Sequence, residues 1–238
     1  MNHTIDLTTK LGILGGGQLG RMLIQEAVNF NIHISVLDPS SNAPCANLAN
    51  NFVVGNFNDY QTVLDFGKSV DVLTIEIEHV NIEALEELER LGKKVFPTPQ
   101  ALRIIQDKGL QKQFYTANNI PTAPFHLIAN TEDAMLFKDE GPFMQKLRKG
   151  GYDGKGVTPL RTVAEFKSAF NAPSVLEEFV PFVKELAVIV ARNESGELAT
   201  FPLVEMEFNP EANLVEFIFS PAHVNTDVES NAKKIASD

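Results

Sequence analysis

The chain has 238 residues, of which 44% are hydrophobic, and this length and composition favour two domains with a core each. Its formal net charge of −11 leaves no broad basic face, which argues against binding to nucleic acid or to an anionic membrane. The single cysteine, Cys45, excludes an internal disulfide and a multi-cysteine metal site. No segment has the pattern of a signal peptide or a membrane span, so the sequence predicts a cytoplasmic protein.

The first hundred residues alternate short apolar runs with stretches of helical period. Strands are predicted at residues 11–14, 32–37, 52–54, 72–77 and 94–96, and helices at residues 18–30, 60–66 and 81–91. This alternation predicts an α/β domain with a parallel sheet covered on both faces. Pro97 and Pro99 end the pattern, so we place this Rossmann-like domain at residues 1–98.

The second half, residues 99–238, is predicted to be an α+β domain. A long helical pattern covers residues 100–118 and ends before Pro121. Strands are predicted at residues 142–146, 174–179, 185–191 and 198–208, with helices at residues 131–138 and 164–170. Asn-Glu-Ser-Gly at residues 193–196 predicts a hairpin turn between the last two strands.

The last residues carry the signal for a helix start. Thr226 and Glu229 have the spacing of a capping box, and the sequence stops at Asp238 without a glycine or other C-cap signal. This pattern suggests that the domain continues beyond residue 238.

A glycine fingerprint follows the first predicted strand. Gly15, Gly17 and Gly20 form G-x-G-x-x-G at the start of the first helix, and Asp38 ends the second strand, which is typical of a dinucleotide site. The same turn serves any phosphate or carboxylate at a helix N-terminus, and Asp38-Pro39 is also a common turn starter. Dinucleotide binding, a substrate anion site and purely structural glycines all remain open.

A second glycine-rich segment lies between two predicted strands of the second half. Its residues are Lys146, Lys149, Gly150, Gly151, Gly154, Lys155 and Gly156. Glycines let backbone N–H groups approach an anion and lysines supply countercharge, so this composition indicates a phosphate cradle. The segment does not match the Walker pattern, and a plain hairpin tip is the alternative.

Two carboxylates, Glu76 and Glu78, alternate with Ile75 and Ile77 at the end of the fourth predicted strand. Period two would put both on one face, at the carboxyl edge where parallel sheets bind ligands. A close pair of acids can raise one pKa toward a proton-transfer role. A solvated strand end is the alternative.

Five motifs in order carry a family resemblance. They are Gly-Gly-Gly-Gln-Leu-Gly-Arg-Met at residues 15–22, Thr-Ile-Glu-Ile-Glu-His at 74–79, Gln-Asp-Lys-Gly-Leu-Gln-Lys-Gln at 106–113, Pro-Thr-Ala-Pro at 121–124 and Lys-Leu-Arg-Lys-Gly-Gly-Tyr-Asp-Gly-Lys-Gly at 146–156. Together they resemble the N5-carboxyaminoimidazole ribonucleotide synthetases, the ATP-grasp ATPase subunits of phosphoribosylaminoimidazole carboxylase. The resemblance extends over essentially the whole chain and implies an ATP-grasp domain that is incomplete here, with a lid at about residues 122–183.

The resemblance implies an ATP site between two β-layers. Lys108 and Lys146 would approach the phosphates, and Glu185 would hold the ribose hydroxyls. The implied lid residues are Gly151, Tyr152, Asp153, Gly154, Lys155, Gly156 and Val157, and the implied adenine hinge is Glu177, Glu178, Phe179 and Val180. For the lysines and glutamates, ordinary solvated positions are the alternative.

The resemblance also implies where the second substrate binds. Gly17, Gln18, Leu19 and Glu76 would contact aminoimidazole ribonucleotide. Glu76 and Tyr152 are the candidate catalytic residues, and the Tyr152 phenol would position bicarbonate or the acceptor amine.

The implied reaction is ATP-dependent carboxylation of the exocyclic amine of aminoimidazole ribonucleotide with bicarbonate, through carboxyphosphate. Mg²⁺ is expected with ATP, held by ligands beyond residue 238, so the chain alone is expected to be inactive. A homodimer is implied by the family alone. Met206 and Phe208 stand where many relatives have Asn and His, which puts nucleotide contacts there in doubt.

Several other functions remain open. Another ATP-grasp ligase or a formate-using transformylase is the nearest alternative. An NAD-dependent oxidoreductase and a non-catalytic nucleotide-binding module are alternatives from other classes.

Overall fold

The computed structural model describes residues 8–151, 155–209 and 214–238. The chain divides into two compact units, Met1–Gln106 and Asp107–Asp238. This division falls a few residues after the boundary predicted at residue 98.

The first unit contains a five-stranded parallel sheet, as the alternating pattern predicted. The strands are β1 (Lys10–Leu14), β2 (His33–Asp38), β3 (Asn51–Val54), β4 (Val72–Ile75) and β5 (Lys94–Phe96). Their order is β3-β2-β1-β4-β5, and every neighbouring pair is parallel. The helices are α1 (Gln18–Ala27), α2 (Tyr60–Lys68), α3 (Ile82–Arg90) and α4 (Pro99–Ile105), with a 3₁₀ turn at Val28–Phe30.

The central strands of this sheet are buried on both faces. Leu14 and Leu37 belong to the apolar cluster under α2 and α3, whereas Ile13 and Val36 belong to a second cluster with Ile24 of α1 and Cys45. Successive side chains of a strand point to opposite faces, so a strand between two helical layers needs apolar residues at every position. This requirement explains the continuous apolar runs in the sequence.

The second unit begins with a four-stranded antiparallel sheet. Its strands are β6 (Phe125–Ile128), β7 (Phe143–Leu147), β8 (Val157–Leu160) and β9 (Ser174–Glu178), in the order β6-β9-β7-β8. The helices are α5 (Lys108–Ala117), α6 (Thr131–Met135) and α7 (Val163–Lys167). Phe143 and Phe166 are buried in its core and pack edge to face, with ring centroids 6.4 Å apart.

The rest of the second unit contains two smaller sheets and a helix. They are formed by β10 (Glu185–Ala187), β11 (Val190–Arg192), β12 (Leu198–Thr200), β13 (Val204–Phe208), β14 (Val215–Phe219) and α8 (Thr226–Ser237). The three-stranded sheet has the order β10-β13-β14, and β11 pairs with β12 through the predicted turn. The Asn193 side chain closes that turn by accepting from the N–H groups of Ser195 and Glu197.

Three of the predicted elements are each two separate elements in the structure. The helical pattern at residues 100–118 is two helices, because Asp107 leaves helical geometry and caps α5 by accepting from Gly109 N and Leu110 N. The strand predicted at 198–208 breaks around Pro202, which has no N–H to donate to a ladder. The strand predicted at 185–191 is likewise two strands, β10 and β11, which belong to different sheets.

The last helix forms, but its cap differs from the prediction. Asn225 is the N-cap, and its side chain accepts from Val228 N at 2.9 Å, whereas Thr226 is the first helical residue. Asn is among the strongest N-cap residues, so it takes the position that the Thr226 capping box was expected to fill. Across the described ranges, no helix has the length and apolar character that a bilayer crossing requires.

Candidate functional site

The glycine turn between β1 and α1 is held by Asp38. Gly16 N donates to Asp38 Oδ2 at 2.7 Å, and Ser40 N donates to Asp38 Oδ1 at 2.8 Å. Gly15 has φ +97°, a left-handed conformation that glycine adopts without strain. Both carboxylate oxygens of Asp38 therefore serve the local backbone, which agrees with the turn-starter interpretation of this residue.

Glu76 lies against the same turn. Its Oε1 accepts from Leu19 N at 3.3 Å, in the first turn of α1. A Cβ atom on Gly17 would lie 2.4 Å from Glu76 Oε1, so only glycine permits this approach. The structure thus brings Gly17, Leu19 and Glu76 together, and Gln18 is the exposed first residue of α1.

The argument that put Glu76 and Glu78 on one strand face does not hold. Strand β4 ends at Ile75, so alternation no longer orients the residues that follow. Glu76 faces the glycine turn, whereas Glu78 Oε1 lies 3.5 Å from His79 Nδ1. The two carboxylates therefore have different partners.

In the second unit, a small cavity of about 130 Å³ collects charged side chains from three elements. Its lining residues are Lys108, Gln111, Lys112, Lys146, Val175 and Glu177. Lys108 and Lys112 lie one turn apart on α5, Lys146 is on β7 and Glu177 is on β9. Three ammonium groups face one carboxylate, so the cavity favours an additional anion.

Glu177 is the counter-ion of this lysine cluster. Lys112 Nζ contacts Oε1, and Lys146 Nζ forms an ion pair with Oε2. Burial by itself would raise the pKa of Glu177, but hydrogen bonds and charge from the two lysines lower the pKa below its ordinary value. Glu177 is therefore ionised at neutral pH, and Lys112 is further held by Thr122 Oγ1 at 2.5 Å.

The glycine-rich loop starts beside this cluster and joins β7 to β8. Gly150 and Gly156 have φ of +75° and +74°, and Leu147 N donates to Gly156 O at 2.8 Å. Lys108 Nζ lies 3.5 Å from Gly151 O. Both predicted phosphate-binding lysines, Lys108 and Lys146, are thus at the base of this loop.

The other loop residues that the resemblance implied either do not line the lysine cavity or lie outside the described residues. Lys155 is exposed and Val157 begins β8, whereas Tyr152, Asp153 and Gly154 lie outside the described residues.

The predicted adenine hinge comprises the last two residues of β9 and the two residues after it. Glu178 N donates to Pro124 O and Phe179 N to Pro142 O, at 2.9 and 3.1 Å. The side chains of Glu178, Phe179 and Val180 are exposed. These backbone bonds anchor the segment to the four-stranded sheet and leave its side chains on the surface.

The predicted ribose residue, Glu185, lies on the three-stranded sheet. It opens β10 directly opposite Met206, which in turn is opposite Ile218 of β14. Residues opposite each other in an antiparallel pair share a face, so Met206 is the immediate neighbour of Glu185. Phe208, the other departure from the family pattern, pairs with Val215 at the end of β13.

Three residues near the cavity were missed from the sequence. Lys112 follows Lys108 by four positions, and this spacing places two helix residues on one face. Asp107 and Arg148 form an ion pair whose partners lie 41 positions apart, which no local pattern reveals. Among the residues that the structure describes, no three His, Cys, Asp or Glu side chains come together as metal ligands.

Comparison with known families defines the class of this protein. Residues 113–238 match the ATP-grasp domain model, and residues 8–106 match the ribonucleotide synthetase preATP-grasp domain model. The chain belongs to the ATP-grasp family.

Curated relatives sharpen this assignment. The chain is 38% identical over 232 residues to the chloroplastic phosphoribosylaminoimidazole carboxylase of Vigna aconitifolia, covering 95% of this chain and 41% of that protein. It is 38% identical over 203 residues to the N5-carboxyaminoimidazole ribonucleotide synthase of Brucella melitensis, covering 82% and 56%. The chain therefore spans about half the length of the curated relatives it matches.

Solved structures agree with these relatives. N5-carboxyaminoimidazole ribonucleotide synthetase from Thermotoga maritima has a TM-score of 0.86 and 37% identity, over 97% of this chain and 60% of that one. The Aspergillus clavatus enzyme in complex with ADP and 5-aminoimidazole ribonucleotide has a TM-score of 0.86 and 30% identity, over 98% and 62%. The family resemblance and the fold class that the motifs predicted are confirmed.

Proposed function

We propose that this protein catalyses the ATP-dependent carboxylation of 5-aminoimidazole ribonucleotide with bicarbonate, giving N5-carboxyaminoimidazole ribonucleotide, ADP and phosphate. The observation that carries the proposal is the cluster of Lys108, Lys112 and Lys146 around Glu177 at the base of a glycine loop. It lies in an ATP-grasp domain whose curated and solved relatives bear the name of this activity.

In this proposal the lysine cluster binds the ATP phosphates. Lys108 and Lys146 supply fixed positive charge, and the N–H groups of the glycine loop from Gly151 to Val157 add hydrogen bonds. Without nucleotide, Lys146 is neutralised by Glu177. When phosphate arrives, Lys112 remains as the partner of Glu177 and Lys146 is available to the ligand.

The base and sugar of ATP are assigned to the segments that the resemblance implied. Residues 177–180 form the adenine hinge, and Glu185 accepts hydrogen bonds from the ribose hydroxyls. Met206 beside Glu185 makes that wall of the site apolar, in contrast to the Asn of many relatives.

The imidazole substrate is assigned to the glycine turn of the first unit. Gly17, Gln18 and Leu19 place backbone N–H groups at the start of α1, where the helix dipole favours an anion. Glu76 would accept a hydrogen bond from the exocyclic amine and orient it. This assignment draws support from the Aspergillus clavatus relative solved in complex with ADP and 5-aminoimidazole ribonucleotide.

The chemistry divides into two steps. A bicarbonate oxygen attacks the γ-phosphorus of ATP, the bond from that phosphorus to the β,γ-bridging oxygen breaks, and ADP leaves. The amine nitrogen then attacks the carboxyl carbon of carboxyphosphate and expels phosphate, or it attacks the carbon dioxide that remains after carboxyphosphate has lost phosphate. In both cases the released phosphate takes the proton that the nitrogen loses. The loop excludes water from the labile intermediate, and Tyr152 is the residue assigned to orient bicarbonate or the amine.

Magnesium is part of the proposal as a companion of ATP. Magnesium usually binds through substrate phosphates, water and one or two carboxylates, so it would reach the site with the nucleotide. A homodimer is a further proposal that rests on family resemblance, and a cytoplasmic location is a further proposal that rests on the sequence.

The test of the activity is phosphate release by the full-length protein, scanned over bicarbonate, formate and candidate ribonucleotides. Release that requires both bicarbonate and aminoimidazole ribonucleotide supports the proposal. Release that requires formate would instead favour a transformylase. In a separate thermal-denaturation assay, stabilisation of the fold by NAD but not by ATP would favour the oxidoreductase.

The test of the ATP site uses the chain itself. Lys146→Met is expected to weaken ATP binding in calorimetric titrations by about tenfold or more, because a fixed cation at a phosphate is lost. Lys138→Met is the matched control, since Lys138 is an exposed lysine that pairs with Asp139 and does not line the cavity. Equal ATP affinity for the two variants would contradict the assignment of the cavity.

A further inference from the structure

Beside the lysine cavity, Asp107 and Arg148 form a two-point ion pair. Arg148 Nε donates to Asp107 Oδ1 at 2.7 Å, and Arg148 Nη2 donates to Asp107 Oδ2 at 2.8 Å. Asp107 is only 6% exposed, and neither residue lines the cavity. Paired geometry of this kind fixes the orientation of both groups, because two parallel hydrogen bonds leave little freedom to rotate.

The same carboxylate also begins helix α5. Asp107 Oδ1 accepts from Gly109 N at 2.8 Å and from Leu110 N at 3.2 Å. These N–H groups belong to the first turn, where the helix backbone itself offers no acceptor. In the opposite direction, Lys108 N donates to Arg148 O at 3.0 Å. The start of α5 is therefore joined to residue 148 through both side chains and backbone.

These contacts join the elements that carry the charges of the cavity. Lys108 and Lys112 are on α5, Lys146 lies two residues before Arg148, and Arg148 N donates to Pro173 O at 3.1 Å, just before the strand that carries Glu177. A shift of Arg148 would thus move the first lysine of α5 relative to the glycine loop. Lys108 Nζ has little margin, because it already lies 3.5 Å from Gly151 O.

Gly109 is matched to this ion pair. A Cβ atom on Gly109 would lie 2.5 Å from Arg148 Nε and 2.8 Å from Arg148 Cζ, which is closer than non-bonded atoms allow. Gly109 is buried inside a helix, where glycine lowers stability relative to alanine. Its presence is explained by the room that the Arg148 guanidinium needs.

We propose that Asp107, Gly109 and Arg148 are positioning residues, a latch that holds Lys108 against the glycine loop and thereby sets the affinity for nucleotide phosphates. None of the three would contact the nucleotide. The inference rests on the proposed ATP site and adds to it the residues that keep its geometry.

Three conservative variants test the latch in the 238-residue chain. Arg148→Lys keeps the charge but loses the two-point geometry, and Asp107→Asn keeps an N-cap but loses the charge. Gly109→Ala keeps both charges and improves helix propensity, and it displaces the guanidinium. Each is expected to weaken ATP binding by about tenfold in calorimetric titrations, since a displacement of about 1 Å at a binding group has effects of this order or larger.

A double-variant comparison separates positioning from simple stability. If Arg148 acts through Lys108, Arg148→Lys in a Lys108→Ala background changes ATP affinity by less than about twofold, because coupled sites are not additive. The melting temperature still falls in both backgrounds. A purely structural role would lower the melting temperature and leave ATP affinity unchanged in every folded variant. Gly109→Ala is decisive if Asp107→Asn does not fold.

Two outcomes overturn the latch, and they differ from failure of the ATP site. The latch is wrong if Arg148→Lys and Gly109→Ala bind ATP like the unaltered chain although Lys108→Ala binds it weakly. It is also wrong if the effects of Arg148→Lys and Lys108→Ala on affinity simply add. If the unaltered chain binds no ATP, the proposed ATP site fails and the latch fails with it.

Discussion

Replacing Glu177 by glutamine removes the counter-ion that Lys112 and Lys146 share. The Glu177 and Lys112 side chains are 11% and 12% exposed, so Lys112 would keep its charge in a nearly dry position without an acidic partner, with Thr122 Oγ1 as a neutral acceptor. Breaking a buried ion pair in this way costs about 3–5 kcal/mol. Lys146 is 35% exposed and can turn toward water, which reduces the cost, so we expect a loss of about 3 kcal/mol for Glu177→Gln.

Differential scanning calorimetry measures this loss. In a chain of this size, 1 kcal/mol corresponds to about 2–4 °C, so the transition of the second unit is expected to fall by about 6–12 °C. Glu178→Gln, on the exposed neighbour in the same strand, is the matched control and is expected to change stability by less than about 0.5 kcal/mol. The double variant Glu177→Leu with Lys112→Met is expected to recover much of the loss, because apolar replacement of a buried pair is often neutral. Equal melting temperatures for Glu177→Gln and Glu178→Gln would refute the reasoning.

Three further predictions concern other parts of the chain. In Gly67→Ala, the new methyl would lie 2.2 Å from Leu88 Cδ1 between α2 and α3, so calorimetry is expected to show a loss of about 1–3 kcal/mol, and a smaller loss when the same change is made in a Leu88→Ala background. The pKa of Asp107 is below its ordinary value of 3.8 in spite of burial, because Arg148 and two backbone N–H groups favour the carboxylate. Its stabilisation is therefore full above pH 3.8 and is lost as pH falls through the lower folded pKa, and acid titration of Arg148→Lys is expected to show a smaller loss. Asn225→Ala removes the cap of α8 and is expected to cost about 1 kcal/mol, seen as faster hydrogen exchange in that helix only.

The architecture of the first unit could be predicted because its signals are local. Strands buried on both faces appear in the sequence as short apolar runs, and the helices between them have a clear period.

In the second unit, local signals were present but were not used. The cap of α5 is one of them: an Asp directly before Lys108 marks a helix start inside a stretch that otherwise has one helical period. Likewise, Pro202 marks the strand break that the hydrophobicity of residues 198–208 conceals. Strands β6, β8 and β14 were missed altogether, although the sequence of β14, Val-Glu-Phe-Ile-Phe, has the composition of a strand.

The candidate site could be predicted only in part. Lys108 and Lys146 were assigned from motifs, and the structure places both on one cavity. Lys112 and Glu177 lie 65 positions apart, and the contact between them depends on how α5 packs on β9. The position of the Arg148 guanidinium requires glycine at residue 109, and this requirement likewise arises from tertiary packing. A local sequence pattern predicts that charged side chains of this kind are exposed to solvent. Their contacts with one another arise only from the tertiary packing.

The thiol of Cys45 is fully enclosed beneath the glycine turn, and burial together with the charges of Glu76 and Asp38 raises its pKa. Because the reactive form of a thiol is the thiolate, this side chain is doubly protected from alkylating dyes. The unaltered chain is therefore expected to react very slowly with thiol-directed fluorophores. Lys149→Cys would place a fast-reacting thiol on the glycine loop while Cys45 stays in place, and its dye would report ligand binding at that loop.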